Sequence, residues 1–462
     1  MKVLKYIPAI IVMLSVGLTA NGQNGGVTPA FHWRCSSGDV LINHNSALRT
    51  TGGAIVFDSL PYARNYTVIV VYKPVADTES LVWQLSFGDS ASRGLTTERI
   101  LSDSIAIRYA EHTDDSPAIN TLRQTAPEAS WSGIPSNGTS DSMQAYVRLT
   151  IGDGLDVAEV LYYTERLGNT ALRKVQSCLA VRYGITLGPV DYLDGTGRHV
   201  WNHTDNGVYR HRITGVGIDT VTGLHQLHSR SEMDGAVLTV STDSIGEGGY
   251  LIVGDDDNPL TYNPEQGSGM PARKWRVQGT GTAGSQFSLV FNTGDMPVTG
   301  DSLVLMVYGV DSLLKAMYSP AMSGADSVVF RDVSFSVYPE GTPDSVTGAR
   351  DEDVVFLTLG HSSLLRQRSL THGGSDVDCT DPGSRFTARV YPNPTNGRYT
   401  LEVDGAGQVN VTIHNTLGRV VAAHSGHGCS RHRFEGSLPS GNAYYVTVVT
   451  ENGSQTMKLS VK

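Results

Sequence analysis

The chain has 462 residues, which exceeds one typical hydrophobic core and predicts two to four domains. Hydrophobic residues make up 39% and charged residues 17%, and the 51 glycines indicate a turn-rich globular protein rather than a disordered or fibrous one. The net charge of −10 argues against a nucleic-acid partner and against an anionic membrane surface, since both attract basic proteins.

Residues 1–22 are typical of a secretory signal peptide. Lys2 and Lys5 form the charged start, residues 7–18 are apolar but too short to span a bilayer comfortably, and residues 20–22 offer a cleavage site. No cysteine stands beside the cut, which disfavours a lipid anchor, and no later segment has 18 consecutive apolar residues. We therefore expect an exported chain with no transmembrane segment in its mature form.

The region after the signal peptide predicts an all-β fold. Residues 66–72 form a continuous apolar run, which is typical of a strand buried on both faces. Apolar and polar residues alternate in three further segments, and this period of two predicts strands with one buried face. The alternating segments are 81–87, 105–109 and 145–151, and another strand is predicted at 157–163.

One amphipathic helix is predicted just before Gly184. Its apolar residues recur at spacings of three and four, namely Leu172, Val175, Cys178, Leu179 and Tyr183. Gly168 or Asn169 can cap the start of this helix, and Gly184 suits a left-handed C-cap. We expect the helix to pack on the edge of a β-sandwich.

Two segments of this region resemble laminin-G-like, concanavalin-type jelly rolls of exported bacterial proteins. They are "NYTVIVVYKPV" at 65–75 and "AEVLYYTERLGNTALRKVQSCLAVRYGITLG" at 158–188. The resemblance implies a jelly-roll sandwich with one short helix for the domain 23–188. Gly168 and Ala171 replace the Ser cap and the Glu of the capping box that are usual there, so the helix start should be weaker.

Residues 189–360 resemble an uncharacterised β-rich domain that often follows such jelly rolls. The resemblance rests on a "D-G-T-x-x-W" turn and on "I-x-G-I-G-x-D" and "G-L-x-Q-x-x-S" segments. The matching residues are Asp194, Gly195, Thr196, Trp201, Gly215, Gly217, Asp219, Gly223, Leu224, Gln226 and Ser229. The resemblance implies architecture only, namely one β-rich domain that could contain two sub-sheets. Residues 361–386 lose this periodicity and are predicted to be a linker.

Residues 387–462 resemble the C-terminal sorting domain of type IX secretion, a small β-sandwich. The motif residues are Tyr391, Pro392, Asn393, Pro394, Asn396, Gly397, Gly418, Gly441, Lys458 and Leu459. We expect Val411 and Ile413 in its core with Thr412 outward, and we expect Pro392 and Pro394 to separate the linker from the sandwich. The resemblance implies export through the periplasm of a Gram-negative bacterium, with the secretion machinery as partner. It also implies that the sorting domain is removed, and that the rest of the protein is then released or attached to lipopolysaccharide.

The four cysteines are Cys35, Cys178, Cys379 and Cys429, and export permits disulfides among them. Four cysteines allow three pairings. We favour Cys35–Cys178 and Cys379–Cys429, because each pair then stays within or next to one predicted domain. Alternatively, Cys178 is a small buried hydrophobic residue.

Three sets of residues could bind metals or sugars, and each has a structural alternative. Asp255, Asp256 and Asp257 could coordinate Ca²⁺, but they are more typical of a turn before Pro259. The spacing of His424, His427, Cys429 and His432 would suit zinc, but surface histidines are the favoured interpretation. The tryptophans Trp33, Trp83 and Trp131 could stack on sugar rings, although core packing is expected for Trp83. We predict no cofactor, with Ca²⁺ as the alternative.

A tripeptide of Asp, then Ser or Thr, then an aliphatic residue occurs ten times. Its central residues are Ser59, Ser90, Ser104, Ser142, Thr220, Ser244, Ser302, Ser312, Ser327 and Ser345. Asp-Ser is a good turn before a strand. The tripeptide also resembles the acceptor of the general O-glycosylation system of the same Gram-negative group, which implies glycosylation at several of these sites.

The chain has none of the familiar catalytic motifs, such as G-x-S-x-G, H-E-x-x-H or a phosphate-binding loop. The acidic residues in 153–160 also do not fit the "E-x-D-x-x-E" spacing of glycan-cleaving jelly rolls. We predict a non-enzymatic, all-β surface or secreted protein that binds or adheres, with glycans or other surface proteins as partners. The alternatives are a degradative enzyme acting on glycans or proteins, and a structural surface component.

Overall fold

A computed structural model shows an all-β protein, as predicted, with two compact units, residues 1–367 and residues 368–462. The structure describes residues 24–75, 78–87, 91–102, 105–108, 116–125, 146–260, 272–294, 303–310, 314–324, 326–335, 352–361, 387–404, 408–415, 420–427, 431–440, 443–450 and 453–462. The predicted signal peptide and nearly all of the predicted linker lie outside these residues. No helix in the described part of the chain is long and apolar enough to cross a membrane.

The first part of unit 1 is a sandwich of two antiparallel sheets. Its strands are β1 (Phe31–Arg34), β2 (Val40–Ile42), β3 (Asn45–Arg49), β4 (Ile55–Pro61), β5 (Tyr66–Pro74), β6 (Leu81–Phe87), β7 (Ala91–Thr96), β8 (Arg99–Ser102), β9 (Ile105–Arg108), β10 (Ala118–Gln124), β11 (Tyr146–Ile151) and β12 (Leu155–Tyr163). One sheet has the order β10-β5-β12-β3-β2, with β1 also on β12, and the other has the order β4-β11-β6-β7-β8-β9.

Strand β5 is buried on both faces, as its continuous apolar run predicts. Val68 and Val70 pack with Trp83 and Leu85 in the core between the two sheets. Ile69, on the opposite face, packs instead against helix α1 (Asn169–Tyr183). This helix begins at Gly168 without a side-chain cap and ends at Gly184, whose φ of 62° confirms the predicted left-handed C-cap.

Helix α1 lies between two β-structures rather than on a sheet edge, so the prediction of an edge position is wrong. Val175 and Leu179 pack on the outer face of the first sheet. Cys178 and Val181, on the other side of the helix, pack with Trp201 and other residues of the following region. The helix is therefore buried from two sides, which a single apolar stripe does not indicate.

The second part of unit 1 is another two-sheet sandwich. Its elements are β13 (Tyr192–Leu193), β14 (His199–Trp201), α2 (His203–Asn206), β15 (His211–Asp219), β16 (Leu224–Gln226), β17 (His228–Arg230), β18 (Leu238–Ser241), β19 (Gly249–Asp255), β20 (Trp275–Thr280), β21 (Phe287–Asn292), β22 (Leu303–Gly309), β23 (Leu314–Tyr318), β24 (Met322–Ser323), β25 (Ser327–Val333) and β26 (Glu352–His361). The sheets have the orders β16-β15-β19-β20-β26-β22-β23 and β17-β18-β21-β25-β24, and β13 pairs with β14. Residues such as Val277, Phe291 and Phe330 form the core between the sheets.

Unit 2 is a smaller sandwich of seven strands in the described residues. They are β27 (Thr387–Tyr391), β28 (Arg398–Asp404), β29 (Gln408–Asn415), β30 (Val420–His427), β31 (Arg431–Ser437), β32 (Ala443–Thr450) and β33 (Gly453–Ser460). The sheets have the orders β27-β28-β31 and β30-β29-β32-β33. Val411 and Ile413 are fully buried and Thr412 is partly exposed, so the predicted alternation is confirmed.

The predicted Cys35–Cys178 disulfide does not form, because both residues are free thiols. Cys35 packs in the core of the first sandwich, whereas Cys178 lies on the side of α1 that faces the second sandwich. The alternative, in which Cys178 is a small buried residue, describes the structure. Cys379 and Cys429 lie outside the described residues.

Candidate functional site

The Tyr-Pro-Asn-Pro segment of unit 2 holds the end of the chain. Asn393 Nδ2 donates to the carbonyl of Lys458 at 2.6 Å, and Asn393 Oδ1 accepts from the amide of Ser460 at 3.0 Å. The Thr395 amide donates to the Ser460 carbonyl at 2.9 Å, and the Lys462 amide donates to the Thr395 carbonyl at 2.9 Å. Two motifs that lie 65 residues apart in sequence therefore form one structure.

The Pro turn connects two strands of the module and does not precede it. Strand β27 ends at Tyr391 and pairs with β28 after the turn, so the prediction that Pro392 and Pro394 separate the linker from the sandwich is wrong. Tyr391, Pro392, Asn393, Pro394 and Asn396 are exposed. The Tyr391 hydroxyl donates to Glu402 Oε1 at 2.7 Å.

The remaining motif residues divide between core and surface. Leu459 is fully buried, and Lys458 is exposed. Gly397 has a φ of 107°, which favours glycine, and its carbonyl accepts from the Leu438 amide at 2.8 Å. Gly418 and Gly441 lie outside the described residues.

Unit 1 has an open pocket of about 440 Å³ beside the start of helix α1. Its walls come from the helix, from the segment after it and from the β13–β14 hairpin: Thr170, Arg173, Pro189, Val190, Asp191, Leu193, Gly197 and His199. The Leu193 amide donates to Ser177 Oγ at 2.9 Å, which fastens the hairpin to the helix. The volume lies in the range of small-ligand sites.

The hairpin turn that forms one wall of the pocket is fixed by Asp194. Its Oδ1 accepts from the Thr196 amide and hydroxyl at 2.9 and 2.7 Å and from the Arg198 amide at 2.9 Å. Burial alone would raise the pKa of Asp194, but these hydrogen bonds and the Arg198 guanidinium outweigh burial and hold it below its usual value. Asp194 therefore positions the pocket wall as an anion.

The pocket contains both a cation and a His–Asp pair. Asp191 Oδ2 lies 3.4 Å from His199 Nδ1, and Asp191 Oδ1 accepts from the His203 amide at 2.8 Å. Burial lowers the pKa of Arg173, an effect partly offset by nearby Asp191. Among the described residues, the Arg173 guanidinium has no hydrogen-bond or ion-pair partner, so its donors remain available to a ligand.

A buried ion pair ties the first sandwich to helix α1. Glu159 is fully buried, and its Oε2 lies 2.9 Å from Arg182 Nη1 and accepts from the Tyr183 hydroxyl at 2.8 Å. His32 Nε2 lies 2.7 Å from Glu159 Oε1. Burial alone would raise the pKa of Glu159, but Arg182 and the bond to His32 outweigh it and hold the pKa well below its usual value.

The β2–β3 hairpin inserts its turn between helix α1 and the second sandwich. Asn43 and His44 have φ values of 46° and 64°, as a two-residue type I′ turn requires. Asn43 is buried, and its Nδ2 donates to the Arg182 carbonyl at 3.0 Å and to Ser229 Oγ at 2.9 Å. Its Oδ1 accepts from the Arg230 amide at 2.7 Å. The two sandwiches of unit 1 therefore share a specific polar joint.

The acidic run 255–257 begins at the last residue of β19 and makes local hydrogen bonds of the kind found in turns. Asp255 Oδ1 accepts from the Asp257 amide at 2.9 Å, and Asp256 Oδ1 accepts from the Asn258 amide at 3.2 Å. Asp255 forms a two-point ion pair with Arg212, at 2.8 Å for Nε–Oδ2 and 2.6 Å for Nη2–Oδ1. The same guanidinium also binds Asp257, and Asp256 Oδ1 accepts from the Lys274 amide at 3.0 Å. A calcium ion there would have to displace Arg212.

Two of the four predicted zinc residues have side chains among the described residues. His432 is buried and His424 is half-buried, so the expectation of surface histidines is wrong for these two. His424 Nε2 lies 2.8 Å from the Tyr399 hydroxyl, and its ring stacks on Phe434. Cys429 and the side chain of His427 lie outside the described part of the chain. The described residues contain no group of three His, Cys, Asp or Glu side chains placed to hold a metal.

Two of the three tryptophans that could stack on sugars belong to the core. Trp83 is fully buried and its Nε1 donates to Asn120 Oδ1 at 3.3 Å, which confirms the expected core position. Trp33 is also buried and packs against Phe57 with ring centroids 5.9 Å apart, so its prediction as a sugar-stacking residue is wrong. Trp131 lies outside the described residues.

Four of the ten Asp-Ser/Thr tripeptides lie in described segments. Ser59, Thr220 and Ser244 are exposed, and Ser327 is partly exposed. The aliphatic residue after Ser59, Ser244 and Ser327 is buried. Ser59 lies within β4 rather than in a turn before a strand, and Ser327 is the first residue of β25. Ser90, Ser104, Ser142, Ser302, Ser312 and Ser345 lie outside the described residues.

Sequence patterns did not indicate the pocket. Thr170 and Arg173 are one turn apart on α1, but Asp191 and His199 lie in a hairpin with an irregular register. Close to the pocket, Asn202 caps the short helix α2: its Oδ1 accepts from the Asp205 amide at 3.0 Å. The Asn-His-Thr-Asp stretch carries that cap signal, with Asn at the cap and Asp in the first turn.

Comparison with known families identifies the domain at the end of the chain. Residues 389–462 match the family described as a secretion system C-terminal sorting domain. The protein is exported by type IX secretion to the cell surface or the extracellular space of a Gram-negative bacterium. The sorting domain is the part of the chain that interacts with the type IX machinery.

Residues 171–336 match a family described as a domain of unknown function, DUF8202. The match begins inside helix α1, whereas the predicted middle domain begins at residue 189. The helix side that carries Cys178 and Val181 explains this difference, because it packs in the core of the second sandwich. No curated protein matches the chain.

The solved structures similar to this chain include β-glucuronidase from Ruminococcus gnavus in its apo form and in complex with D-glucuronic acid. Each has 8% sequence identity and a TM-score of 0.13, and each match covers 38% of this chain. The chain spans about a third of the length of these structures, 36% in each case.

Proposed function

We propose that the protein is a secreted or surface-displayed binding protein of the adhesion type, and that the first sandwich is a laminin-G-like jelly roll. Unit 1 would be the displayed part and the sorting domain its export label, with release or attachment to lipopolysaccharide after the label is removed. The observation that carries the proposal is the open pocket with the Arg173 guanidinium, which makes no hydrogen bond or ion pair within the described residues.

The pocket chemistry supports glycans as ligands. Arg173 and the Thr170 hydroxyl can donate hydrogen bonds, and Asp191 can accept them, while Leu193 and Val190 provide apolar surface. A sugar presents hydroxyl groups that both donate and accept, together with apolar C–H faces. This mixture in about 440 Å³ fits a unit of one or two sugar rings.

A glycan array probed with the mature secreted protein tests this proposal. We expect specific binding by the wild type and at least about tenfold weaker binding by Arg173→Gln, because a charged hydrogen bond is lost. Arg148→Gln is a matched control, since Arg148 lies on the surface in an ion pair with Asp58. No binding to any glycan, or equal binding by Arg173→Gln, would contradict the proposal.

A degradative enzyme is the second candidate, favoured by the Asp191–His199 pair in the pocket. A carboxylate on Nδ1 orients an imidazole so that its Nε2 can act as a base. The described residues show no hydrogen bond between His199 and Thr170 or another nucleophile. Release of reducing sugar or peptide fragments by the wild type, but not by His199→Ala, would support the enzyme over the binding protein.

We also propose that the exposed Asp-Ser/Thr sites carry O-glycans. Ser59, Thr220 and Ser244 have the accessibility that modification requires. Intact-mass measurement of the native secreted protein should give a mass above that of the bare polypeptide, and Ser59→Ala should reduce it by one glycan. A mass equal to the polypeptide would exclude the modification.

A further inference from the structure

Unpartnered buried polar atoms concentrate around strand β20. Side-chain atoms without a hydrogen-bond partner in the described residues include Arg276 Nε and Thr280 Oγ1 on β20 itself. Asn206 Oδ1 is another, and Asn206 Nδ2 donates to Gln278 of β20 at 2.8 Å. Trp201 Nε1 is a fourth, and the Trp201 ring abuts Gly254, the residue paired with Arg276 in the sheet. Native proteins rarely leave such atoms unpaired without a ligand or ordered water.

Arg276 lies at the open end of this group. Its guanidinium sits 5.2 Å from the ring centroid of Phe356, which is opposite Arg276 on β26. Tyr209 packs on the same ring, with centroids 5.3 Å apart and planes inclined at 53°. All three side chains are partly exposed. Among the described residues, Arg276 has no ion-pair partner, and burial lowers its pKa.

The groups around Arg276 have complementary chemistry. The partly exposed Arg276 guanidinium is a planar donor that suits an acceptor such as a carboxylate, whereas Trp201 is fully buried behind it. The tilted Tyr209 and Phe356 rings suit an apolar ring face. Asp205 is exposed and close enough to Arg276 to raise its pKa, which partly offsets the effect of burial. The Asp205 carboxylate can accept hydrogen bonds from hydroxyl groups.

We propose that Arg276, with Tyr209 and Phe356, forms a binding site for a sugar ring that carries a carboxylate. The carboxylate accepts from Arg276, the C–H face of the ring packs on the aromatic side chains, and hydroxyl groups donate to Asp205. None of these residues lines the pocket that contains Arg173. The inference therefore goes beyond the proposed function and does not depend on it.

Calorimetric titration of the mature protein tests the site, with galacturonic acid trimer, glucuronic acid and N-acetylneuraminic acid as probes. We expect the wild type to bind at least one acidic probe and Arg276→Gln to bind it at least about tenfold more weakly. Arg276→Lys should bind with intermediate affinity, because lysine keeps the charge but lacks the planar guanidinium. Methyl esterification of the probe carboxylate should weaken binding by a similar factor. Circular dichroism and the thermal midpoint show whether each variant is folded.

A second variant and a control separate this site from the pocket. Phe356→Leu should weaken binding while keeping an apolar side chain at this position, and Arg173→Gln should leave binding of the acidic probe unchanged. Loss of binding in Arg173→Gln with full binding in Arg276→Gln would overturn the inference and leave the proposed function intact. Equal affinity for the acid and the ester, or no binding of any acidic probe, would also overturn it. Ordered water would then be the partner of the unpaired polar atoms around β20.

Discussion

Single polar residues fasten the two sandwiches of unit 1 together. Asn43 occupies a position with positive φ and satisfies backbone groups of both α1 and β17 with one side chain. Glu159 neutralises Arg182 inside the same joint. Polar contacts of this kind are directional, so they fix the relative placement of the two cores in a way that apolar contacts alone would not.

Replacing Asn43 should weaken this joint. Asn43→Ala leaves the Arg230 amide without its side-chain acceptor, while the Arg182 carbonyl keeps the donor Asn45. It also places alanine, which tolerates a positive φ less well than asparagine, in the turn. We expect a loss of about 3 kcal/mol in the free energy of unfolding. Urea denaturation monitored by tryptophan fluorescence measures it. His44→Gly is the control, since the neighbouring His44 is exposed with positive φ and should change stability little.

The Glu159 carboxylate should make stability depend on pH. Its folded pKa lies well below the unfolded value of about 4.3, so its contribution is complete above that pH and is lost as the pH falls toward the folded pKa. Urea midpoints measured between about pH 6 and pH 3 should fall less steeply in Glu159→Gln than in the wild type. Glu159→Gln should also cost about 3 kcal/mol at neutral pH, because Arg182 remains buried without its counter-charge. Parallel pH profiles would contradict this prediction.

At the scale of elements, the Pro turn and the last strand of the sorting domain are joined by hydrogen bonds. Asn393 makes two hydrogen bonds to β33, and Thr395 and Lys462 extend the contact to the final residue. The exposed surface of Tyr391, Pro392 and Pro394 is therefore held beside the exposed Lys458. The sequence shows two separate motifs, whereas hydrogen bonds join them in the structure.

Removing the Asn393 side chain should loosen β33. In Asn393→Ala the Ser460 amide loses its acceptor, so its hydrogen exchange should become faster by about tenfold, equivalent to about 1.4 kcal/mol. Hydrogen-exchange mass spectrometry of the peptide 453–462 measures the change. Asn396→Ala, a nearby exposed asparagine, should leave the exchange unchanged. Unchanged exchange in Asn393→Ala would show that the backbone bonds of Thr395 suffice.

On the scale of the whole molecule, the division into two compact units separates the sorting domain from the rest of the described chain. Unit 1 contains both sandwiches with helix α1 between them, and unit 2 contains the sorting domain. The sorting domain has its own core, with Leu401, Val411 and Val446 fully buried. A module with its own core can direct export without contributing to the fold of the displayed part.

Deleting residues 387–462 should therefore separate export from folding. We expect unit 1 to keep its thermal midpoint within about 2 °C, since a change of 1 kcal/mol shifts a domain of this size by roughly 2–4 °C. The truncated protein should accumulate in the periplasm. Cell fractionation with immunoblotting measures its location, and the full-length protein is the reference. Arrival of the truncated protein at the surface would contradict the sorting role.

The sequence by itself determined several of the elements and the export route. Alternation predicted β6 and β11, the apolar run predicted the doubly buried β5, Gly184 predicted the end of α1, and the tail motifs predicted the sorting domain. These features depend on neighbours within a few residues or on a motif of fixed spacing, so the local sequence contains the information.

Only the tertiary structure decided what each element packs against. Helix α1 lies between two sandwiches, Cys35 and Cys178 belong to different cores, and Trp33 is buried. The pocket at Arg173 and the polar group at Arg276 join residues from separate elements. Such contacts follow from the packing of sheets whose strands are far apart in sequence, and no local period records which faces will meet.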